Sequence, residues 1–162
     1  MNSAYLLIGG NLGDRIQNLA DANRLIEEEI GEIIKMSSIY ETAAWGITEQ
    51  PDFLNQVLLV KTKLTAEKMM LVILSIEKKL GRIRTQKNAS RIIDIDILFF
   101  NNEIINKPQL TIPHPELQNR KFALIPLNEI APDLIHPVFK QSIKNLLSTS
   151  KDTLPVRLRS NL

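Results

Sequence analysis

Two aspartates one residue apart, Asp94 and Asp96, interrupt the apolar stretch "RIIDIDILFF" (residues 91–100). In a strand, residues i and i+2 share a face, which would set these two about 6.6 Å apart on one side. Ile93, Ile95 and Ile97 would cover the other side. At that separation two bare carboxylates repel by about 2.5 kcal/mol at an effective dielectric near 20. Burial would add several kcal/mol per ion, as an order of magnitude. A solvent-exposed sheet face, or pairing with nearby arginines, would each make the charge tolerable. The isoleucines and the following "ILFF" point instead to a central strand. The chemistry such a pair suits is magnesium binding: carboxylate oxygens hold this hard cation together with substrate phosphates. Two such ions can clamp a phosphoryl group during in-line displacement.

Immediately upstream, residues 78–93 read "KKLGRIRTQKNASRII", with six basic residues and no acidic one. Arg82, Arg84, Lys87 and Arg91 could gather round a polyphosphate. A solvated charged loop explains the run equally well by itself. Beside an Asp-x-Asp the phosphate reading gains, because metal and arginine together are what a nucleoside triphosphate needs. No G-x-x-x-x-G-K-[ST] loop is present, "GGNLGD" (9–14) is not a dinucleotide fingerprint, and there is no H-E-x-x-H motif. The two histidines, His114 and His136, are distant in sequence.

The elements that must position these residues follow from the apolar pattern. "AYLLIG" (4–9) reads as a strand and 14–30 as a helix with Gly31 as its stop. Residues 33–42 and 53–64 read as strands separated by a loop containing Gly46 and Pro51. Thr65 can cap a helix running to about Leu80. The acidic strand follows, and Asn101–Asn102 suggests a tight turn into "EII" as a short partner strand. The order β-α-β-β-α-β predicts an α+β, ferredoxin-like core with a mainly antiparallel sheet and helices packed on it. From Lys107 the chain is proline-rich, and short helices are expected near 116–130 and 141–147.

The chain has 162 residues, 44% hydrophobic and 23% charged, which fits one folded domain over 1–162. A net charge of +2 gives no sign of a general nucleic-acid or membrane binder. Without cysteine, disulfides, thiolate metal sites and a thiol nucleophile are excluded. The N-terminal "MNSAYLLIGGN" lacks the basic region of a signal peptide, and "MMLVILSI" is too short to span a bilayer, so a cytoplasmic location is expected.

"KNASRIIDIDIL" (87–98) resembles the signature of the 6-hydroxymethyl-7,8-dihydropterin pyrophosphokinase family of folate synthesis. The resemblance extends through "LIGGNLGDR", "SSIYETAAWG", "QPDFLNQV", "GRIR", "LTIPHPELQNRKFALIPL" and "EIAPDLIHP", in the family's order. It implies transfer of diphosphate from ATP to the hydroxymethyl group of the dihydropterin, releasing AMP. By resemblance, Asp94 and Asp96 hold two Mg2+ ions, and Arg82 and Arg91 join them as catalytic residues. Glu77, Arg82, Arg84, Arg91, the backbone of Ile97, Thr111, His114 and Arg120 match ATP-contacting positions. Phe53 and Phe122 match an aromatic pair sandwiching the pterin, Asn55 its hydrogen-bonding partner, and Thr42, Ala43 and Trp45 the backbone along its edge. The chain departs from commoner members at Gly10, Ala43, Ala44, Leu74, Asn88 and Pro115. The resemblance also implies a monomer. Two competing readings are another magnesium-dependent Asp-x-Asp nucleotidyl or glycosyl transferase and, last, a ferredoxin-like RNA-binding module. The chain has eight aromatics and no RNP-type segment, which disfavours the latter.

Overall fold

The computed structural model describes residues 1–43, 51–81 and 92–159. Strand β1 (Asn2–Gly10) runs through the centre of the sheet, paired antiparallel with β4 (Phe53–Thr62) on one side and β5 (Asp94–Phe100) on the other. Helix α1 (Arg15–Glu29) leads from β1 to β2 (Gly31–Met36), which pairs antiparallel with β4. Helix α2 (Ala66–Lys79) leads from β4 to β5. In each β-α-β unit a third strand lies between the two that the helix joins, which is the ferredoxin-like plan expected from the element order.

Both helices begin where the sequence predicts. The Asp14 carboxylate accepts from the Gln17 amide at 3.1 Å, and the Thr65 hydroxyl from the Lys68 amide at 3.3 Å. Their apolar stripes meet one sheet face in a core of Leu6, Ile8, Ile26, Leu54, Leu58, Ile73, Ile76, Ile95 and Phe100, among others.

The predicted strand over 33–42 is two strands. β2 ends at Met36, and β3 (Tyr40–Thr42) pairs separately with β4. Ser37 makes the break: its amide donates to the Val57 carbonyl, while its hydroxyl, in place of a backbone carbonyl, accepts from the Val57 amide, both at 2.9 Å. The outer edge of β3 is covered by β8 (Val156–Leu158), an element the sequence reading did not anticipate.

The predicted pairing of "EII" with the acidic strand is also corrected. Asn101 adopts a positive φ of 50° and turns towards β1, accepting on its side chain from the Ser3 amide at 2.9 Å and donating its own amide to the Ser3 carbonyl at 2.7 Å. The chain then forms β6 (Ile105–Lys107), which pairs with β7 (Leu110–Ile112) in a separate two-stranded sheet.

The expected 116–130 helix divides into a 3-10 turn (Leu117–Asn119) and α3 (Lys121–Ile130), followed by α4 (Ile143–Ser148). These cover part of the second sheet face, where Leu7, Val57, Leu98 and Phe99 pack with Leu117, Leu124, Leu127 and Ile143. A bulge in β5 assists. Leu6 pairs with Ile97 but Tyr5 pairs with Phe99, so Leu98 is extra. Leu98 and Phe99 therefore both face the second core, and Phe100 returns to the first.

Candidate functional site

Helices α3 and α4 cover only part of the second face. The remainder is an open cleft lined by Leu7, Gly9, Thr42, Ala43, Phe53, Asn55, Asp94, Asp96, Arg120 and Phe122. Its empty volume is about 630 Å³, with open solvent included. Strand register explains the gathering. Gly9 pairs with Asp94 on one side and Asn55 on the other, Leu7 with Asp96 and Val57, and Thr42 with Phe53. The two-residue period then turns each of these towards the same face.

Asp94 and Asp96 are both half-buried in the cleft wall, while Ile93, Ile95 and Ile97 are buried in the helix-side core. The predicted division of the strand holds. No group of three or more His, Cys, Asp or Glu suited to a metal occurs among the described residues. A two-carboxylate donor set is incomplete for an all-protein cage but fits magnesium, which usually takes its remaining oxygens from phosphate and water.

Across the sheet, Phe53 and Phe122 both line the cleft, and the Arg120 guanidinium lies 5.6 Å from the centroid of the Phe122 ring. Asn55 is 6% exposed and Thr42 2%. The Thr42 hydroxyl is buried and has no hydrogen-bond partner among the described residues. A buried hydroxyl normally has one, so a bound molecule with a polar edge would complete it.

A second set of predicted residues lies along the outer edge of β5. Glu77 of α2 is buried, and its carboxylate accepts from the Ile95 amide at 2.8 Å. Ladder alternation sends the amide and carbonyl of Ile97 to that same edge. The His114 amide donates to the Leu98 carbonyl at 3.0 Å, and its Nδ1 accepts from the Glu116 amide at 3.1 Å. Burial, then the nearby Arg120 charge, pushes the His114 pKa below its ordinary value, and Asp94 and Glu116 oppose them. Thr111 is exposed on β7, which packs against β5. Glu77, Ile97, Thr111 and His114 thus stand beside the cleft, not among its lining residues. Trp45, Arg82, Arg84, Lys87 and Arg91 lie outside the described residues.

Sequence reasoning passed over Leu7 and Gly9, which the register places in the cleft between the acidic pair and Asn55. It also missed the ionic cluster behind Thr42 and Phe53. There Glu41 receives Arg15 at 2.6 Å, and Arg157 of β8 reaches Asp52 at 3.0 Å. The available signal was alternation on β1 and β3, but using it required knowing which strands pair.

An antiparallel sheet covered by helices on one face and only partly on the other, where an open, part-acidic cleft remains, defines a small α+β ligand-binding domain. Residues 5–132 match the model of the 7,8-dihydro-6-hydroxymethylpterin-pyrophosphokinase (HPPK) family. The 2-amino-4-hydroxy-6-hydroxymethyldihydropteridine pyrophosphokinase of Aquifex aeolicus is 43% identical over 144 residues, 89% of each chain. That of Haemophilus influenzae is 35% identical over 159 residues, 98% of this chain and 99% of its own. In fold, the chain is similar to the crystal structure of Plasmodium falciparum HPPK-DHPS, with a TM-score of 0.73 and 22% identity over 91% of this chain and 43% of that longer one. The chain belongs to the HPPK family.

Proposed function

We propose that the cleft is where this family member carries out its reaction, transfer of diphosphate from ATP to 6-hydroxymethyl-7,8-dihydropterin in folate biosynthesis. The observation that carries this reading is that Asp94 and Asp96 share one cleft with Thr42, Phe53, Asn55 and Phe122. Phe53 and Phe122 offer stacking faces to a flat ring. Asn55, with the unpartnered Thr42 hydroxyl and the backbone at Ala43, offers the donors and acceptors of a pyrimidine edge. The ring would lie over β1 and β4 and extend its hydroxymethyl group towards Asp94 and Asp96.

ATP would run along the outer edge of β5. Ile97 presents backbone groups there, and His114, Thr111 and Arg120 flank the path. Glu77 holds the edge in place through the Ile95 amide. The basic residues Arg82, Arg84 and Arg91, which precede the acidic strand in sequence, would supply charge for the phosphates. Two magnesium ions, shared between the triphosphate and Asp94 and Asp96, would neutralise charge and align the phosphates. In the transfer, the hydroxymethyl oxygen would lose its proton to solvent and form a bond to the β-phosphorus. The bond from the β-phosphorus to the oxygen bridging it to the α-phosphorus breaks, and AMP leaves with that oxygen. The protein's share is positioning and charge stabilisation.

One domain over 1–162, acting as a monomer in the cytoplasm, completes the reading. Among the described residues no helix is long and apolar enough to cross a membrane. Family membership does not favour the other Asp-x-Asp transferases or an RNA-binding module. The test is incubation with ATP, magnesium and the dihydropterin, followed by identification of the nucleotide product. AMP together with the pterin diphosphate is expected. ADP, or no turnover, would overturn the reading.

A further inference from the structure

We propose that Gly9 is a positioning residue for recognition of the ring, acting through Asn55. This inference rests on the reading of the cleft as the dihydropterin site. Gly9 lies in mid-strand, outside the left-handed region of backbone space, so conformational freedom is not what requires a glycine. Space is. A Cβ built on Gly9 would stand 2.2 Å from Asn55 Oδ1 and 3.1 Å from its Cγ. The Asn55 carboxamide therefore lies across the backbone of β1, in the room left by the missing side chain.

The position is central to the site. Gly9 pairs with Asn55 on β4 and with Asp94 on β5, so one row across the sheet carries the amide, the gap and the first carboxylate. A side chain at Gly9 would push the amide off this row, away from the plane in which it meets a ring edge. It would not reach the outer edge of β5, where His114 and Ile97 stand. Gly9 thus sets the direction of the Asn55 amide and keeps the floor open between the ring-binding end and the acidic end.

A purely structural role has a definite source as well: the Leu54 carbonyl oxygen would lie 2.6 Å from the added Cβ. A double-mutant cycle separates the two. Gly9→Ala, Asn55→Ala and the double variant are compared by titration with the dihydropterin in the presence of a non-hydrolysable ATP analogue, and with the analogue alone. Each single substitution is expected to raise the dihydropterin Kd about tenfold, leaving analogue affinity within about twofold. The double variant is expected to bind no worse than Asn55→Ala alone, since the group Gly9 accommodates is gone. If the two losses multiply, or if Gly9→Ala binds normally, the inference falls while the cleft reading stands. If Asn55→Ala itself leaves dihydropterin binding unchanged, the cleft reading falls. Should Gly9→Ala not fold, recovery of folding in the double variant still assigns the clash to Asn55. Failure of both assigns it to Leu54 and overturns the proposal.

Discussion

Neighbouring residues on β1, β4 and β5 face opposite sides of one sheet and meet different surroundings. Leu6, Ile8, Leu54, Leu58 and Ile95 point to the side that α1 and α2 cover, and are buried there with almost no exposure. Leu7, Gly9, Phe53, Asn55, Asp94 and Asp96 point to the other side, which α3 and α4 cover only in part. The covered face is apolar in its core, and the acid Glu77 sits at the β5 margin, where the Ile95 amide meets its carboxylate. The partly covered face carries carboxylates, an amide and an unpartnered hydroxyl, which a stability criterion alone would remove. A sheet divides the two tasks by parity, so a substitution on one face should damage one property and spare the other.

The largest expected effect is on the open face. Asp96→Ala should lower AMP formation by about 10³-fold or more, the scale seen when one charge-stabilising group is lost. The circular dichroism spectrum and Tm should stay near those of the parent, because Asp96 lies in the cleft wall and outside both apolar clusters. Retained magnesium-dependent turnover would refute its metal role. The converse substitution, Leu6→Ala, should cost about 3 kcal/mol of stability, since a fully buried leucine leaves a cavity. Denaturant unfolding measures this, and the dihydropterin KM of the folded fraction should not move. Asn55→Ala comes next, with dihydropterin affinity reduced about tenfold and the affinity for ATP analogues kept. If Leu6→Ala and Asn55→Ala instead altered stability and binding in the same proportion, the division by parity would fail.

How much of this could be read beforehand depends on the range of the interaction involved. Asp94 and Asp96 were legible because strand period is local: two residues on, same face. The cap at Thr65 was legible for the same reason, the partner amide being three residues away. The break at Ser37 was not, because it depends on the hydroxyl meeting the Val57 amide, 20 residues away. Nor was the bulge at Leu98, which exists only against β1, or β8, whose three residues become a strand by meeting β3. Gly9 belongs with these: glycine at the end of an apolar run reads as a stop, and only the pairing with Asn55 reveals a gap that is occupied. The aromatic and amide residues of the cleft, drawn from separate segments, were reached by resemblance to the family and not by spacing.

The smallest expected effect contrasts the two histidines on the partly covered face. His114 stands at the cleft beside Arg120 and Asp94, whereas His136 is packed under cover, with its ring 5.4 Å from Phe99 and 4.5 Å from Phe139. Burial pushes the His136 pKa below its ordinary value. Its Nδ1 accepts from the Val138 and Phe139 amides at 3.1 and 3.2 Å, which the neutral ring with its proton on Nε2 can do and the imidazolium cannot. The unfolded chain therefore takes up a proton near pH 6.5 that the folded chain refuses until lower pH. Stability must fall as pH drops through that interval and be fully present above it. His136→Asn retains an acceptor for the two amides but cannot titrate. Its Tm should decline less steeply than that of the parent between pH 7.5 and 5.5, with the remaining histidine slope belonging to His114, whose pKa burial also lowers. Parallel slopes would mean that His136 is not kept neutral by its burial, and that the covered part of this face tolerates charge as the cleft does.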